Sequence, residues 1–177
     1  ALQDINTMFK MDATIPDPHV LKGRYFSHID SLQAAYTSFN KAITIYENNN
    51  APCFMMSRCY SGRGRLNFAF GNIDAAINDF TKAIEYKNYY KSYAGRASVY
   101  LALKDFPKAI SDAETALKMD PKNLKANYVL ANCYDDLNQL NKALSYYNAA
   151  ISLNAENPVY YLRRAIVFGK MQNYTAC

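Results

Sequence analysis

The sequence predicts an all-α protein made of repeated pairs of helices, and three observations support this fold class. Three stretches read alike, DAAINDFTKAIEY (74–86), PKAISDAETALKM (107–119) and NKALSYYNAAISL (141–153), and their alanines lie 33 and 34 residues apart. Within each stretch apolar residues recur at steps of three and four, which is the period of an amphipathic helix. Turn-forming residues interrupt this pattern at FGNID (70–74) and MDPKN (119–123). A constant period of this length indicates a repeat architecture.

A second column of small residues identifies the other helix of each repeat. Gly64, Ala97, Ala131 and Ala165 are spaced by 33, 34 and 34 residues, and each precedes the next similar stretch where the chain contains one. We expect small side chains at these positions because two helices cross closely there and larger side chains would hold them apart. In three of the four repeats an aromatic residue stands four positions earlier, at Tyr60, Tyr93 and Tyr161.

The period divides the chain into a single array, 1–177, and one irregularity interrupts it. Between Gly23 and Gly64 the spacing rises to 41, so seven extra residues lie near NNNAPCF (48–54). They either lengthen the following helix from about Pro52 or form a protruding loop. In chain order we predict the second helix of a partial repeat (1–15), a repeat (16–49), an insertion or helix extension (50–56), three repeats (57–89, 90–123, 124–157) and the first helix of a partial repeat (158–177).

A helix-turn-helix repeat with this spacing resembles the tetratricopeptide repeat, whose consensus reads W-x2-L-G-x2-Y, A-x3-F, A and P. The resemblance covers nearly the whole chain, although the fourth repeat has Ala155 in place of the consensus Pro. It implies an α-solenoid that forms a right-handed superhelix, with ligands in a concave groove lined mainly by the first helices. The clearest repeat has matching residues at Tyr93, Ala97, Tyr100, Ala109, Ala113, Ala116 and Pro121.

The composition offers little for catalysis or cofactor binding. The 177 residues include only two histidines, His19 and His28, without a paired cysteine or acidic partner, and four cysteines without a CxxC pair. The GRGR segment (62–65) lacks the Lys-Ser/Thr ending of a phosphate-binding loop. We therefore predict no enzyme, no metal and no cofactor. The free cysteines favour a reducing cytoplasmic compartment, and a ciliary location is a weaker hypothesis from the Asn- and Lys-rich composition.

Function is therefore expected from the protein surface. The predicted first helices carry a net charge of +8 and all other residues −3, which gives the total of +5. If the groove is functional, we expect it to bind an extended acidic peptide or helix of a partner protein through arginine forks. The alternative is that these are solvated charges on exposed helices. The residues predicted to line the groove are Arg24, Arg58, Ser61, Arg65, Lys91, Ser98, Lys125, Tyr128, Asn132 and Arg163.

Two other arginines are predicted to hold helix pairs together. Arg63 and Arg96 stand one residue before the small-residue column, and each is followed sixteen residues later by an aspartate, Asp79 or Asp112. We expect a partly buried ion pair between the two helices of each repeat. The fourth repeat loses both charges together, because it has Leu130 and Tyr146 at these positions.

Two alternative functions remain at this point. The basic groove and sixteen tyrosines suggest an RNA-binding helical repeat. Against it, five tyrosines fall on core positions and leave few to stack on bases: Tyr60, Tyr93, Tyr100, Tyr134 and Tyr161. The resemblance also suggests a co-chaperone clamp for acidic chaperone tails. Lys91 or Lys125 could supply its lysine, but the other partners fall on Gly62, Gly95 or Val129, so we disfavour it. No membrane partner is expected.

The two ends of the array are predicted to be open. We expect the rest of a longer chain, or a neighbouring chain, to cover them. In the chain alone, the apolar side chains predicted to face water are Leu2, Ile5, Phe9, Val167 and Phe168.

Overall fold

The computed structural model describes residues 3–5, 7, 17–48 and 53–175, and every regular element among them is an α-helix. The predicted all-α class is therefore confirmed. None of the described helices is long and apolar enough to cross a membrane. The helices after residue 16 are α1 (Asp17–His28), α2 (Leu32–Asn48), α3 (Cys53–Ala69), α4 (Ile73–Tyr86), α5 (Tyr90–Ala102), α6 (Phe106–Met119), α7 (Leu124–Asp136), α8 (Leu140–Leu153) and α9 (Pro158–Thr175).

The chain forms two compact units, Ala1–Ser92 and Tyr93–Cys177. In the first unit α1 packs on α2, α2 on α3 and α3 on α4. In the second unit α6 packs on α7, α7 on α8 and α8 on α9. In both units, therefore, helices that follow each other in the chain are neighbours in space, as helical repeats require.

A three-residue turn joins the two helices of each repeat, in the pairs α1–α2, α3–α4, α5–α6 and α7–α8. The middle residue of each turn has a left-handed backbone conformation. The φ angles of these middle residues are +58° at Asp30, +78° at Gly71, +58° at Lys104 and +57° at Asn138. The next residue donates its N–H to a carbonyl five residues back, as in Ser31 to Phe26 at 2.8 Å. This arrangement satisfies the last carbonyls of the first helix. Only one of the four turns uses glycine, the residue that adopts this conformation at least cost.

The seven extra residues of the irregular spacing are accounted for by two longer helices. Helix α2 has 17 residues, three more than the 14 of α4, α6 and α8. Helix α3 has 17 residues, four more than the 13 of α5 and α7. The connection between α2 and α3, 49–52, lies outside the described residues.

Small side chains allow the helices to cross closely, and one phenylalanine fills the space over two glycines. A Cβ on Gly64 would lie 3.4 Å from the carbonyl oxygen of Ala76 on the partner helix. The buried ring of Phe39 lies over Gly23 and Gly62, where added Cβ atoms would approach it to 3.0 and 2.6 Å. Phe39 on α2 therefore joins α1 to α3.

The prediction of exposed apolar ends is wrong for two residues and holds for one. Ile5 and Val167 are buried, whereas Phe168 is exposed. Val167 is buried because it lies in register with Leu66, Val99 and Cys133, which all point into the core. Leu2 and Phe9 lie outside the described residues.

Candidate functional site

Several cations of the first helices are bound to carboxylates. Arg63 donates from Nε and Nη2 to the two oxygens of Asp79 at 2.9 and 2.7 Å. Arg96 makes the same pair of hydrogen bonds with Asp112 at 2.7 and 2.9 Å. Both aspartates are buried, so these are charge-assisted bonds shielded from water. The hydrogen bonds raise the pKa of both guanidinium groups, against the opposing effect of burial. The fixed guanidinium groups suit a structural role better than ligand binding.

Two asparagines that the sequence analysis missed extend the first of these pairs. Asn40 on α2 accepts a hydrogen bond from Nη1 of Arg63 at 2.8 Å, and Asn67 on α3 donates to Asp79 at 2.8 Å. In the second unit Arg164 donates to Asn148 at 2.7 Å, and Asn148 follows Tyr147 as Asn40 follows Phe39. An asparagine that recurs directly after a large aromatic residue was therefore the available sequence signal for Asn40, and Asn67, which follows Leu66, has no such signal.

Where the fourth repeat lacks the ion pair, it has apolar and aromatic packing. Leu130 is fully buried. The ring of Tyr146 stacks on that of Tyr134, with centroids 5.7 Å apart and an angle of 8° between the planes. Two different side-chain pairs therefore support the same helix crossing.

A second group of first-helix cations is left for solvent or a ligand. Arg24 on α1, Arg65 on α3 and Lys91 on α5 are exposed in the first unit, and Arg163 on α9 is exposed in the second. Arg58 on α3 is half-buried. Among the described residues, none of these five forms an ion pair with a carboxylate.

In the second unit, three predicted groove residues lie around a buried tyrosine of α8. The ring of Tyr128 on α7 lies 6.3 Å from that of Tyr147 and 5.1 Å from that of Tyr160 on α9. The hydroxyl of Tyr147 donates to Asn132 at 3.3 Å, and Asn132 donates to the backbone carbonyl of Tyr128 at 2.6 Å. Burial raises the pKa of Tyr147, and the positive charge of Arg163 partly opposes this effect. Tyr128, Asn132 and Arg163 therefore share one face, with Arg163 as its exposed cation.

Three predicted groove residues remain: Ser61, Ser98 and Lys125. The two serines contribute little to a binding surface, and Lys125 lies at the start of a helix. Ser61 is 8% exposed, because it lies on the packed side of α3, and thus offers almost no surface to a ligand. The hydroxyl of Ser98 donates to the carbonyl of Ala94 at 3.0 Å. Lys125 is exposed in the first turn of α7.

In the first unit, two of the predicted cations are associated with aromatic rings. The guanidinium of Arg58 lies 5.4 Å from the ring centroid of Phe54, and Nζ of Lys87 lies 4.5 Å from the same centroid. Nζ of Lys91 lies 5.9 and 5.8 Å from the rings of Tyr89 and Tyr90. The sequence analysis missed Phe54 and Lys87. The four-residue spacing from Phe54 to Arg58, which places both on one helix face, was the available signal.

The described residues do not assemble a catalytic or metal-binding arrangement. No group of three His, Cys, Asp or Glu residues able to hold a metal ion occurs among them. Burial raises the pKa of the Cys133 thiol to about 12, which keeps it protonated and unreactive near neutral pH. An open cleft along α1 and α2 contains His19, Tyr36 and Lys41 but no thiol or carboxylate.

Comparison with known proteins identifies the repeats. Two family models, both described as tetratricopeptide repeat, match residues 61–113 and 100–166, which together cover more than half of the chain. The DnaJ homolog subfamily C member 7 homolog of Dictyostelium discoideum is 33% identical over 103 residues, covering 58% of this chain and 19% of that protein. The heat shock protein STI1 of Saccharomyces cerevisiae is 34% identical over 100 residues, covering 55% and 17%. The chain thus spans less than a fifth of these relatives.

A solved structure shows the same fold with a peptide bound. The first TPR of Spaghetti (RPAP3), bound to the HSP90 peptide SRMEEVD, superimposes with a TM-score of 0.65 at 23% sequence identity. The match covers 67% of this chain and 98% of that structure. At this identity the similarity concerns the fold alone.

Proposed function

Because this chain belongs to the tetratricopeptide repeat family, we propose that it is a protein-interaction module whose first-helix faces bind an extended acidic segment of a partner protein. The observation that carries this proposal is the division of the first-helix cations into two groups. Arg63 and Arg96 are fixed by buried aspartates, whereas exposed cations such as Arg65 and Arg163 have no carboxylate partner among the described residues. An acidic segment would supply the missing carboxylates.

The placement of two lysines supports an acidic ligand. Lys91 and Lys125 lie in the first turns of α5 and α7, which contain no acidic residue. The N-terminal end of a helix carries a partial positive charge, so a cation there disfavours the helix slightly. The helix dipole therefore does not favour lysines at these positions. An acidic ligand would be attracted by both the side chain and the helix end.

The structure of Spaghetti bound to SRMEEVD also supports an acidic partner, because that peptide contains two glutamates and one aspartate. The specific clamp for chaperone tails stays disfavoured for this chain. Two positions that would need its polar side chains hold Gly62, which lies under the ring of Phe39, and the buried Val129. We therefore propose the acidic class of segment and not the chaperone tail itself.

RNA binding is the weaker alternative. Single-stranded RNA is held by aromatic rings on which bases stack. Here Tyr46, Tyr60, Tyr134, Tyr147 and Tyr160 are buried, so these rings are withdrawn from bases. The expectation of a core position is wrong for Tyr161, which is 40% exposed.

Two neighbouring arginines provide a matched test. The full chain is titrated into a fluorescein-labelled peptide that contains a run of glutamates, and the fluorescence anisotropy gives the affinity. The same titration is made with a peptide in which glutamines replace the glutamates. Arg163→Ala should weaken binding about 3- to 10-fold, because a charge-assisted contact is lost. Arg164→Ala should leave it within about twofold, because that guanidinium donates to Asn148 and is not needed by a groove ligand. Equal affinity for the glutamine peptide, or tighter binding of single-stranded RNA, would contradict the proposal.

A further inference from the structure

We propose that the extra turn at the start of α3 creates an anchoring site for neighbouring acidic side chains of the partner. The site is formed by Phe54, Arg58 and Lys87, and we refer to it as the Phe54 site. The inference rests on the proposed function, because it names a contact point for the same class of partner in the first unit.

The extra turn has no counterpart in the regular repeats. Helices α5 and α7 begin at Tyr90 and Leu124, which correspond in register to Ser57, whereas α3 begins four residues earlier at Cys53. Met56 in the added turn is buried in the core. Phe54 is instead 40% exposed. The added turn therefore presents an aromatic ring at the surface while its other side packs inside.

Two cations lie on this ring, one on α3 and the other in the connection that follows α4. Nζ of Lys87 and the guanidinium carbon of Arg58 lie 4.5 and 5.4 Å from the ring centroid, so they are no more than 9.9 Å apart. The hydroxyl of Ser57 donates to the backbone carbonyl of Lys87 at 3.5 Å, which holds the segment after α4 against α3. Lys91, four residues after Lys87, lies in the first turn of α5, with its Nζ 5.9 and 5.8 Å from the rings of Tyr89 and Tyr90. Two positive charges from different parts of the first unit therefore lie on one apolar ring.

This arrangement lacks the negative charge that would balance it. Among the described residues no carboxylate forms an ion pair with Arg58, Lys87 or Lys91. An aromatic face attracts a cation but does not neutralise its charge. The ring also removes water from one side of each cation, which strengthens its attraction for an incoming carboxylate. Acidic residues of the partner can therefore place carboxylates beside Arg58 and Lys87.

The chain offers matched controls for both the cation and the ring. Nζ of Lys82 lies 5.3 Å from the ring of Tyr60 in the same unit, so Lys82→Gln removes a similar cation elsewhere. Phe70 in the same unit is 39% exposed, so Phe70→Ser matches Phe54→Ser. Far-UV circular dichroism and thermal melting establish that each variant is folded.

The experiment titrates the full chain into the labelled glutamate peptide. Lys87→Gln and Phe54→Ser should each weaken binding about 3- to 10-fold, and Lys87→Gln should also reduce its salt dependence because it removes a charge. Lys82→Gln and Phe70→Ser should stay within about twofold of the parent chain, because they leave the Phe54 site intact.

Three outcomes would overturn the inference, and they differ in what they say about the proposed function. If Lys87→Gln and Phe54→Ser bind like the parent chain while Arg163→Ala binds weakly, the Phe54 site is wrong and the proposed function stands. If the parent chain does not distinguish glutamate from glutamine peptides, both are wrong. If Lys87→Gln weakens binding to oligouridine but not to the glutamate peptide, the Phe54 site binds nucleic acid instead.

Discussion

The carboxylate of Asp79 accepts two hydrogen bonds from the guanidinium of Arg63, although its side chain is only 2% exposed. A charge this far from water is stable only while its partner is present. The pair therefore makes the packing of α3 against α4 depend on a specific geometry. Hydrophobic contact alone would not impose that requirement.

Removing one member of this pair should destabilise the protein strongly. Asp79→Ala leaves Arg63 and Asn67 without their shared acceptor, so we expect a loss of about 2–4 kcal/mol in the free energy of unfolding. Arg63 keeps its bond to Asn40 and is partly exposed, which places the loss toward the lower end. Urea denaturation measures it. Glu85→Ala, an exposed acid on the same helix, should change stability by less than about 0.5 kcal/mol.

The fourth repeat suggests side chains that could replace the ion pair between Arg96 and Asp112. Arg96→Leu and Asp112→Tyr reproduce Leu130 and Tyr146, and Tyr100 stands in register with Tyr134 to receive the new ring. Each single substitution should be destabilising because it leaves one charge unpaired. The double substitution should recover about 1–3 kcal/mol relative to the sum of the singles. A double-mutant cycle by chemical denaturation measures this, and strict additivity would argue against exchangeable pairs.

Alanine substitution at two glycines, Gly62 and Gly169, should change the stability of the protein in opposite directions. Gly62→Ala places a Cβ 2.6 Å from the buried ring of Phe39, so overpacking of about 1–3 kcal/mol should outweigh the gain in helix propensity. Gly169 in α9 has no atom within 4 Å of the added Cβ. Gly169→Ala should therefore stabilise the protein by about 0.5–1 kcal/mol. Melting temperatures moving in the same direction would contradict this explanation.

Glycine in place of Lys104 should stabilise the turn between α5 and α6. Lys104 has a φ of +58°, a conformation that costs a side-chain-bearing residue about 1 kcal/mol. Lys104→Gly should therefore raise the free energy of unfolding by about 0.5–1 kcal/mol. Gly71→Ala should lower it by about 1 kcal/mol, because Gly71 has a φ of +78°. A destabilising effect of Lys104→Gly would mean that the lysine side chain itself supports the turn.

Features that depend on position within a repeat could be predicted from the sequence. The sixteen-residue spacing from Arg63 to Asp79 recurs from Arg96 to Asp112, and the structure joins both pairs. The repeat period fixes which side chains of paired helices meet. The small-residue columns could be placed for the same reason.

Features formed by departures from the period could not be predicted. The ring of Phe39 lies over Gly62, and the irregular spacing between these two residues gives no register from which to predict the contact. The pairing of Lys87 with Phe54 depends on the extra turn at the start of α3. Ser61 was predicted to face the groove but is buried, because helical period alone does not report how closely neighbouring helices pack around a position.

The link from Arg63 to Asn40 has a consequence for unfolding. Arg63 donates at once to Asn40 on α2 and to Asp79 on α4, so opening either contact disturbs the other. The helix pairs of the first unit should therefore melt cooperatively instead of fraying one after another. Hydrogen exchange would report similar protection for the amides of α2, α3 and α4 in the parent chain. In Asn40→Ala it would report earlier exchange of α2.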